Sequence, residues 1–367
     1  MNILYLTTHL NIGGISSYLL SLSRGLRDRG HNIYIASASG SLLQRFISEG
    51  VKVIPIPIKT KSEISPGVIL SLFILLKRIK QADIDIIHAN TRVTQVLAHL
   101  IYKFSGRPYI STCHGFFKTR FFRRIFPCWG LKVIAVSEQV GEHLVKDFKL
   151  KKKQVRVIPH GIDVGRFLKR ESDTIHQIKS ELGLKDGPVI GIIARLSDIK
   201  GHVYLIEAMK TVLNTIADAQ LLIIGEGRMK EKLVDLTKRL GINQSVFFLP
   251  AVMDTADILS VIDVFVMPSL NEGLGLGVME AMASGIAVVG SDVGGMRSLI
   301  RDGYNGILVK PADPDSLSSV LSNLLKDQDR RNSLGRNAHL FIEQNFSQDK
   351  MVLETERIYL ECLSAKY

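Results

Sequence analysis

Short apolar runs alternate with helix-length amphipathic segments along almost the whole chain, and this alternation restricts the fold more than any other feature of the sequence. It is typical of parallel β-sheets in which a crossover helix follows each strand. The helix predicted after the first strand carries its large apolar residues at spacings of three and four, from Ile15 to Leu26. The predicted strands are Ile3–Thr7, Ile33–Ala36, Val51–Ile54, Ile84–His88, Tyr109–Thr112, Val133–Val136, Val155–Ile158, Val189–Ala194, Leu221–Ile224, Val246–Leu249, Val264–Met267, Ala287–Val289 and Ile307–Val309.

The strand pattern breaks once, near the middle of the chain. Residues 165–188 mix charges with three glycines and a proline and carry no strand pattern. A chain of 367 residues is long for one domain and natural for two of roughly 150–200 residues each. We therefore predict an α/β protein of two doubly wound, Rossmann-like domains, residues 1–165 and 170–345, with a linker near residues 162–175.

The last segment, residues 346–367, has apolar residues at helical spacing. We predict a closing helix here that packs back on the first domain. Parallel doubly wound sheets bind ligands at the carboxyl ends of their strands. If two such edges face each other, the cleft between them is the predicted active site.

Composition is typical of a globular protein of a reducing compartment. Hydrophobic residues make up 46% and charged residues 22%, which is enough to bury sizeable cores. The three cysteines are scattered without zinc-ligand spacing, and no leader pattern precedes the first strand. The longest apolar run, Val68 to Leu76, is interrupted only by Ser71 and is far shorter than the ~20 residues that cross a bilayer. We predict a cytoplasmic protein.

The net charge of +12 is concentrated in one stretch of the chain. Residues 103–170 contain 16 Lys or Arg against 4 Asp or Glu, so this stretch carries the whole excess. A local basic field suggests an anionic partner, and a basic surface that is simply solvated is the alternative.

The strongest chemical signal is a glycine-rich segment, residues 271–285, that follows an apolar strand. Its glycines open a predicted helix that starts near Gly275 and ends at Gly285, a natural left-handed cap. Exposed N–H groups at such a helix start attract phosphate, and glycines let the backbone approach a ligand closely. Glu272 precedes the helix and Glu280 lies inside it, so the two carboxylates can contact different parts of one ligand. From these residues alone, the alternative stays open that Glu272 only caps the helix and that Glu280 is an ordinary surface residue of it.

The spacing Glu272-x7-Glu280, with glycines after the first Glu, resembles the E-x7-E motif of glycosyltransferase family 4, the group 1 retaining glycosyltransferases with the GT-B fold. An isolated E-x7-E would be a weak signal, but further matches occur in the family's order along nearly the whole chain. Ala194 is the one departure, since the family commonly has glycine there. The matches are Asn11-Ile12-Gly13-Gly14, His114-Gly115, Val136-Ser137-Glu138, His160-Gly161-Ile162-Asp163 with Phe167, Ala194-Arg195-Leu196-Ser197-Asp198-Ile199-Lys200-Gly201, and Gly225-Glu226-Gly227.

The resemblance implies an enzyme that moves a hexosyl unit, with retention of configuration, from a nucleotide diphosphate sugar of the UDP or GDP type to a glycan or lipid-linked acceptor. It implies two Rossmann-like domains that face a central cleft, with the donor in the second and the acceptor in the first. The expected setting is the biosynthesis of a cell-surface polysaccharide or lipopolysaccharide. No cofactor is expected beyond the donor substrate itself.

The resemblance also assigns roles to residues. Glu280 would bind the ribose hydroxyls, Glu272 would lie beside the transferred sugar, and His114 would line the donor sugar and phosphate. For His114 a purely structural role stays open, as simple turns do for the glycines. The resemblance implies that the diphosphate is contacted by the backbone N–H groups of Leu274, Gly275 and Leu276. It implies that Gly225 lies near the nucleotide base, and that Gly13 and Gly14 lie near the phosphate or the acceptor.

Two cations, Arg195 and Lys200, follow a buried strand and lie five residues apart. They can hold a diphosphate through charge-assisted hydrogen bonds and stabilise the charge that develops as it leaves. The nearest Asp-x-Asp pair, Asp83-Ile84-Asp85, begins a strand in the other domain, so we predict transfer without a metal ion. Ordinary surface cations are the alternative for Arg195 and Lys200.

Residues 116–126 interleave five phenylalanines with four cations directly after His114-Gly115. Aromatic side chains beside cations are typical of peripheral membrane binding. We predict that this segment borders the acceptor and contacts an anionic membrane, with a partly buried helix as the alternative.

Four other functions fit this pattern less well. A nucleic-acid-binding protein would have a helix-turn-helix, RRM, KH or zinc module, and none is visible. A nucleotide-sugar epimerase of the same fold would lack the combination of Arg195 and Lys200 with two glutamates, and a phosphorylase would need a much longer chain. A Rossmann dehydrogenase would need G-x-G-x-x-G where this chain has Gly13-Gly14.

Overall fold

The computed structural model describes residues 1–119, 123, 126–167, 171–252 and 254–364. Contacts divide the chain into two compact units, Met1–Gly161 together with Gln348–Tyr367, and Ile162–Ser347. Each unit is built on a parallel sheet with crossover helices, so the predicted α/β fold class is confirmed.

The first unit has a sheet of seven described strands in the order β3-β2-β1-β4-β5-β6-β7. Central β1 pairs on both sides, with Ile3 opposite Ile33 of β2 and Ile86 of β4. The strands are β1 (Asn2–Leu6), β2 (Asn32–Ser37), β3 (Lys52–Pro55), β4 (Ile86–Ala89), β5 (Tyr109–Cys113), β6 (Val133–Ala135) and β7 (Val155–Val157), and the described helices are α1 (Gly14–Asp28), α2 (Leu43–Ser48), α3 (Pro66–Gln81), α4 (Arg92–Ser105) and α5 (Glu138–Phe148).

The second unit has a sheet of six described strands in the order β10-β9-β8-β11-β12-β13. The strands are β8 (Val189–Ile193), β9 (Gln220–Ile224), β10 (Val246–Leu249), β11 (Val264–Met267), β12 (Ala287–Ser291) and β13 (Ile307–Val309), and the helices are α6 (Ser172–Glu181), α7 (His202–Leu213), α8 (Lys230–Arg239), α9 (Ala256–Leu259), α10 (Leu276–Ala283), α11 (Met296–Leu299), α12 (Pro314–Lys326) and α13 (Gln328–Asn345). Helix α10 covers the span predicted between Gly275 and Gly285.

The last helix, α14 (Gln348–Ser364), belongs to the first unit. It shares one apolar core with α1, and Glu356 pairs with Arg29 and His31. A Cβ on Gly25 of α1 would lie 2.4 Å from a methyl group of Val352, so a glycine permits the close approach of the two helices. Helices α1 and α14 cover one face of the first sheet, and α3 and α4 cover the other.

The division between the units falls between Gly161 and Ile162, slightly ahead of the predicted linker at residues 162–175. Ile162 forms a parallel bridge with Ser347, and its N–H donates to the Phe346 carbonyl at 2.8 Å. The two ends of the second unit are therefore paired with each other.

In each sheet the strand order reverses once, between β1 and β4 in the first unit and between β8 and β11 in the second. At such a reversal the neighbouring crossover helices lie on opposite faces, which leaves a crevice outside the carboxyl ends of the strands. The polar residues of the candidate sites lie at these two places. Among the described helices, none combines the length and the apolar character needed to span a bilayer.

Candidate active site

Lys200 and Glu272 meet at the strand reversal of the second unit. Lys200 ends a short 3-10 turn after β8, and Glu272 lies in the loop between β11 and α10. The Lys200 ammonium group donates to Glu272 Oε2, the Ser269 hydroxyl lies 3.4 Å from the same oxygen, and the Gly273 N–H donates to Glu272 Oε1 at 3.2 Å. Glu272 is therefore held in one orientation, with its charge balanced by Lys200.

Two glycines hold the surrounding loops together. Gly201 has φ of 71°, and a Cβ there would lie 1.9 Å from the Pro268 carbonyl oxygen. Gly225 has φ of 151°, and a Cβ there would lie 2.0 Å from the Ala194 carbonyl oxygen. Only glycine fits both positions. Loop packing by itself accounts for Gly225, and its contact with a nucleotide base stays a prediction.

Arg195 lies in the same loop as Lys200, and its side chain is exposed. Within the part of the chain that the structure describes, it has no hydrogen-bond or ion-pair partner. A cation without an internal partner is available to bind an external anion.

The start of α10 supplies backbone donors beside these charges. Gly275 is the N-cap residue with φ of 99°, a conformation that favours glycine, and Leu276 begins the helix. The N–H groups of Leu274, Gly275 and Leu276 have no acceptor among the described residues. Free N–H groups at the start of a helix form an anion-binding position.

Glu280 lies in the second turn of α10 and accepts a hydrogen bond from the Thr255 hydroxyl at 3.1 Å. Part of the residue is accessible, but protein surrounds the carboxyl group, and this desolvation raises the pKa of Glu280 to about 7. The Thr255 hydrogen bond and the nearby Arg166 oppose that rise in pKa, while Asp254 adds to it. Arg166 and Asp254 form an ion pair at 3.4 Å. These three neighbours were not predicted, because no sequence motif connects them to Glu280.

His114, at the strand ends of the first unit, has partners for both ring nitrogens. Its Nε2 lies 3.2 Å from Asn90 Oδ1, and its Nδ1 lies 3.2 Å from His160 Nε2. The Asn90 amide group donates to the His88 carbonyl, which fixes its oxygen towards His114. His114 therefore donates from Nε2 and accepts at Nδ1. Burial, with His160 and His88 nearby, holds the pKa of His114 well below its usual value, so the ring is neutral.

His88 and His160 extend this neutral set into the core. His88 Nδ1 lies 2.7 Å from the Tyr359 hydroxyl and its Nε2 lies 2.6 Å from Thr112 Oγ1. His160 stacks on Tyr18 with ring centroids 4.7 Å apart. Burial lowers the pKa of His88 to about 3 and that of His160 to about 4. Sequence reasoning singled out His114 and missed its partners Asn90 and His160 as parts of one network.

Gly13 and Gly14 lie at the start of α1, with Gly13 as the N-cap residue. A Cβ built on either would meet no atom within 4 Å, so packing does not require glycine there. Their contact with a phosphate or acceptor stays a prediction.

The predicted membrane segment, residues 116–126, lies partly outside the described residues. In the described part, the Arg123 guanidinium group lies 4.2 Å from the centre of the Phe117 ring, and Phe126 is exposed. Among the described residues, no three His, Cys, Asp or Glu side chains are grouped so that they could hold one metal ion.

Two family matches cover most of the chain. Residues 174–341 match the family described as glycosyl transferases group 1, and residues 12–166 match glycosyltransferase family 4. The matches correspond closely to the two units of the structure.

Individual similar proteins match most or all of the length of this chain. The chain is 28% identical to an uncharacterized glycosyltransferase of Methanocaldococcus jannaschii, over 95% of this chain and 94% of that protein. It is 26% identical to the UDP-Gal:alpha-D-GlcNAc-diphosphoundecaprenol alpha-1,3-galactosyltransferase of Escherichia coli, over 81% of this chain and 80% of that protein. The crystal structure of Anabaena HepE in complex with UDP-glucose has a TM-score of 0.87 at 22% identity and covers 100% of both chains, which shows a common fold.

Proposed function

Because the chain belongs to the group 1 glycosyltransferases of family 4, we propose that it transfers a hexosyl unit from a UDP or GDP sugar to a glycan or lipid-linked acceptor, with retention of configuration. One observation carries this proposal. At a single strand reversal, the second unit combines the Lys200–Glu272 pair with the exposed Arg195 and the free N–H groups at the start of α10. In this proposal the second unit binds the donor and the first unit binds the acceptor.

The donor's diphosphate is held by Arg195, Lys200 and the N–H groups of Leu274, Gly275 and Leu276. As the bond between the sugar carbon and the phosphate oxygen breaks, negative charge grows on the leaving phosphate. Fixed donors and cations stabilise that charge and lower the barrier. The acceptor oxygen attacks the same face of the sugar and its proton passes to the leaving phosphate oxygen, so a glycosidic bond replaces the bond to phosphate.

Two carboxylates orient the ends of the donor. Glu280 accepts hydrogen bonds from the ribose hydroxyls, while Thr255 occupies one of its oxygens. Glu272 accepts from hydroxyls of the transferred sugar, and His114 lines the sugar and phosphate as a neutral ring. Gly225 borders the base, and Gly13 and Gly14 border the phosphate or acceptor.

Arg195 and Lys200 supply the positive charge that a divalent cation supplies in other transferases, so we propose turnover without a metal ion. Equal rates with excess EDTA and with Mg²⁺ are expected. A rate that EDTA abolishes and Mg²⁺ restores would refute this part.

The acceptor is proposed to be lipid-linked and presented at the cytoplasmic face of a membrane, in the synthesis of a cell-surface polysaccharide or lipopolysaccharide. Support comes from the name of the Escherichia coli relative, which describes a diphosphoundecaprenol-linked acceptor. The cations and aromatic residues of segment 116–126 fit an anionic surface.

A thermal-shift panel of UDP, GDP, ADP and their sugars tests the donor assignment. A ligand at about 100 times its Kd stabilises by about 2.7 kcal/mol, which raises Tm by several degrees. Arg195→Ala should lose most of that shift, and Arg239→Ala, which removes an exposed cation of α8, should keep it. If Arg195→Ala keeps the full shift, the diphosphate assignment is wrong. NMR of the product decides the stereochemistry, and an inverted linkage would contradict retention.

A further inference from the structure

The outer face of α3 exposes large apolar side chains. Ile69, Leu70 and Phe73 are 55%, 54% and 66% exposed, and Ile64, just before the helix, is 88% exposed. We call these four residues the α3 patch. The opposite face of the helix is buried in the core. A helix that is apolar on both faces is not adapted to water on its outer side, and an exposed patch of this kind marks a contact surface.

The patch continues into cations along the same side of the helix. At 3.6 residues per turn, Ile69 and Phe73 lie on the same face of α3 as Lys77 and Lys80. Lys77 and Lys80 follow Phe73 by about one and two turns. Lys77 and Lys80 are both exposed. The outer face of α3 is therefore apolar in its first half and cationic in its second half.

The charge around the patch is strongly unbalanced. Residues 59–81 contain 5 Lys or Arg and 1 carboxylate, Glu63. Arg92 already pairs with Glu63 at 2.9 Å. The field at the α3 patch is therefore positive, which suits an anionic partner. It does not suit a symmetric contact with a second copy, because that contact would bring like charges together.

The patch lies at the edge of the sheet that carries the candidate acceptor residues. As a crossover helix, α3 follows β3 and begins on the side of the strands' carboxyl ends, where Asn90 and His114 lie. At the same end, Arg92 donates to the Phe126 and Pro127 carbonyls at 2.7 and 2.6 Å. Arg92 therefore connects Glu63, in the loop before α3, with the exposed Phe126.

We propose that the α3 patch and its lysines form a docking surface for an anionic lipid bilayer. The apolar side chains enter the boundary between headgroups and acyl chains, while Lys77 and Lys80 contact the headgroups. This surface is separate in sequence from segment 116–126. Its biological purpose, access to a lipid-linked acceptor, rests on the proposed function, but the binding itself needs neither donor nor turnover.

Co-sedimentation of the full chain with phosphatidylglycerol–phosphatidylcholine vesicles tests the proposal. The wild type should bind, and added salt should weaken the binding. I69Q/F73Q should lower the partition coefficient at least about 10-fold, because two large apolar side chains are lost from the interface. K77Q/K80Q should lower it about 10-fold at low salt.

I47Q/L360Q is the matched control, since it removes two exposed apolar side chains elsewhere in the first unit. It should bind vesicles like the wild type, and all four proteins should unfold at similar temperatures. Unchanged binding by I69Q/F73Q overturns the proposal, as does equal binding to pure phosphatidylcholine vesicles. The proposal is also overturned if the wild type is a dimer that does not bind vesicles and I69Q/F73Q is a monomer, because the α3 patch is then covered by a second copy of the chain.

The donor-induced thermal shift separates the two proposals. If I69Q/F73Q loses vesicle binding but keeps the shift, docking is supported independently of the donor site. If wild-type vesicle binding is intact but no nucleotide or nucleotide sugar raises Tm, the proposed function fails and the docking surface stands.

Discussion

The two sheets place different chemistry at corresponding edges. In the second unit, the strand reversal carries the Lys200–Glu272 ion pair and the exposed Arg195. In the first unit, it carries the histidines 88, 114 and 160 in neutral form, and their hydrogen bonds run to Asn90, Thr112 and Tyr359. One edge is suited to an ionic ligand and the other to uncharged hydroxyl groups.

The pKa shifts sharpen this contrast. In the first unit, burial lowers the pKa of all three histidines, so their effects on stability add. In the second unit, burial raises the pKa of Glu280 to about 7 but lowers that of His202 to about 4. Between about pH 4.5 and 6.5, acid strengthens the fold through Glu280 and weakens it through His202, so these effects oppose each other.

The largest expected effect is selective acid unfolding of the first unit. The folded state keeps His88 and His160 neutral, while the unfolded chain binds protons below about pH 6.5, so stability falls as pH falls towards 4. By pH 5 each histidine should cost about 2 kcal/mol. Trp129, the single tryptophan, is buried in the first unit, so its fluorescence should change together with the first of two far-UV CD transitions, and the second CD transition, at lower pH, should come from the second unit.

His176→Gln is the control for this experiment, because His176 is exposed in α6 and should leave the fluorescence midpoint unchanged. His160→Asn should move the midpoint to lower pH. A single far-UV CD transition that coincides with the fluorescence change would contradict the contrast between the units.

Removal of the paired cation should have the next largest effect. Lys200→Ala takes away charge that stabilises the leaving phosphate and leaves Glu272 without its partner. We expect kcat to fall about 10²–10³-fold. Lys210→Ala, which removes an exposed lysine of α7, should keep full turnover. A Lys200→Ala enzyme with near-normal kcat would show that the ionic edge is structural.

Two glycines test whether the donor loops are held by backbone contact. Gly201 and Gly241 both have φ of 71°, but only Gly201 has a carbonyl oxygen, that of Pro268, where a Cβ would lie. Gly241→Ala should cost roughly 1 kcal/mol for its left-handed conformation. Gly201→Ala should cost about 3 kcal/mol or more because the loops must also move apart. Urea unfolding measures both, and equal costs would refute the contact.

The smallest expected effect is a pH dependence of nucleotide affinity. With a pKa of about 7, Glu280 gains its acceptor charge between pH 6 and 8, so affinity should rise roughly threefold to tenfold over that range. Glu280→Gln should flatten the profile. Thr255→Val removes a hydrogen bond that lowers the pKa, so it should shift the rise to higher pH, while Thr255→Ser should not. If Thr255→Val does not shift the profile, Thr255 does not act on Glu280 and is not part of the ribose site.

The central strands were predictable because they are buried on both faces, which makes each one a continuous apolar run, as in β9 and β11. The outer strands β3 and β7 are only partly buried, and their apolar runs are shorter. All thirteen predicted strands are present in the described chain within about two residues. Helix α6, which begins inside the predicted linker at residues 162–175, was not predicted because it buries no residue and therefore has no strong apolar face. Motifs singled out Lys200 and Glu272 separately, but they predicted neither the ion pair between them nor the contacts of Thr255 and Tyr359. The contacts of Thr255 with Glu280 and of Tyr359 with His88 join positions 25 and 271 residues apart, which local sequence patterns cannot report.

The position of α14 has a consequence for how the protein is made. The ribosome releases the first unit's strands before the second unit exists, yet α14, which belongs to the first unit, emerges only after the second unit. The second unit is one continuous segment whose ends pair through Ile162 and Ser347, so it can close while synthesis is still under way. The first unit must wait until α14 has been synthesised, with one sheet face covered by α1 alone, because α14 supplies Tyr359, the partner of His88. A premature stop near residue 347 would therefore leave the second unit able to fold but would prevent the first unit from folding completely.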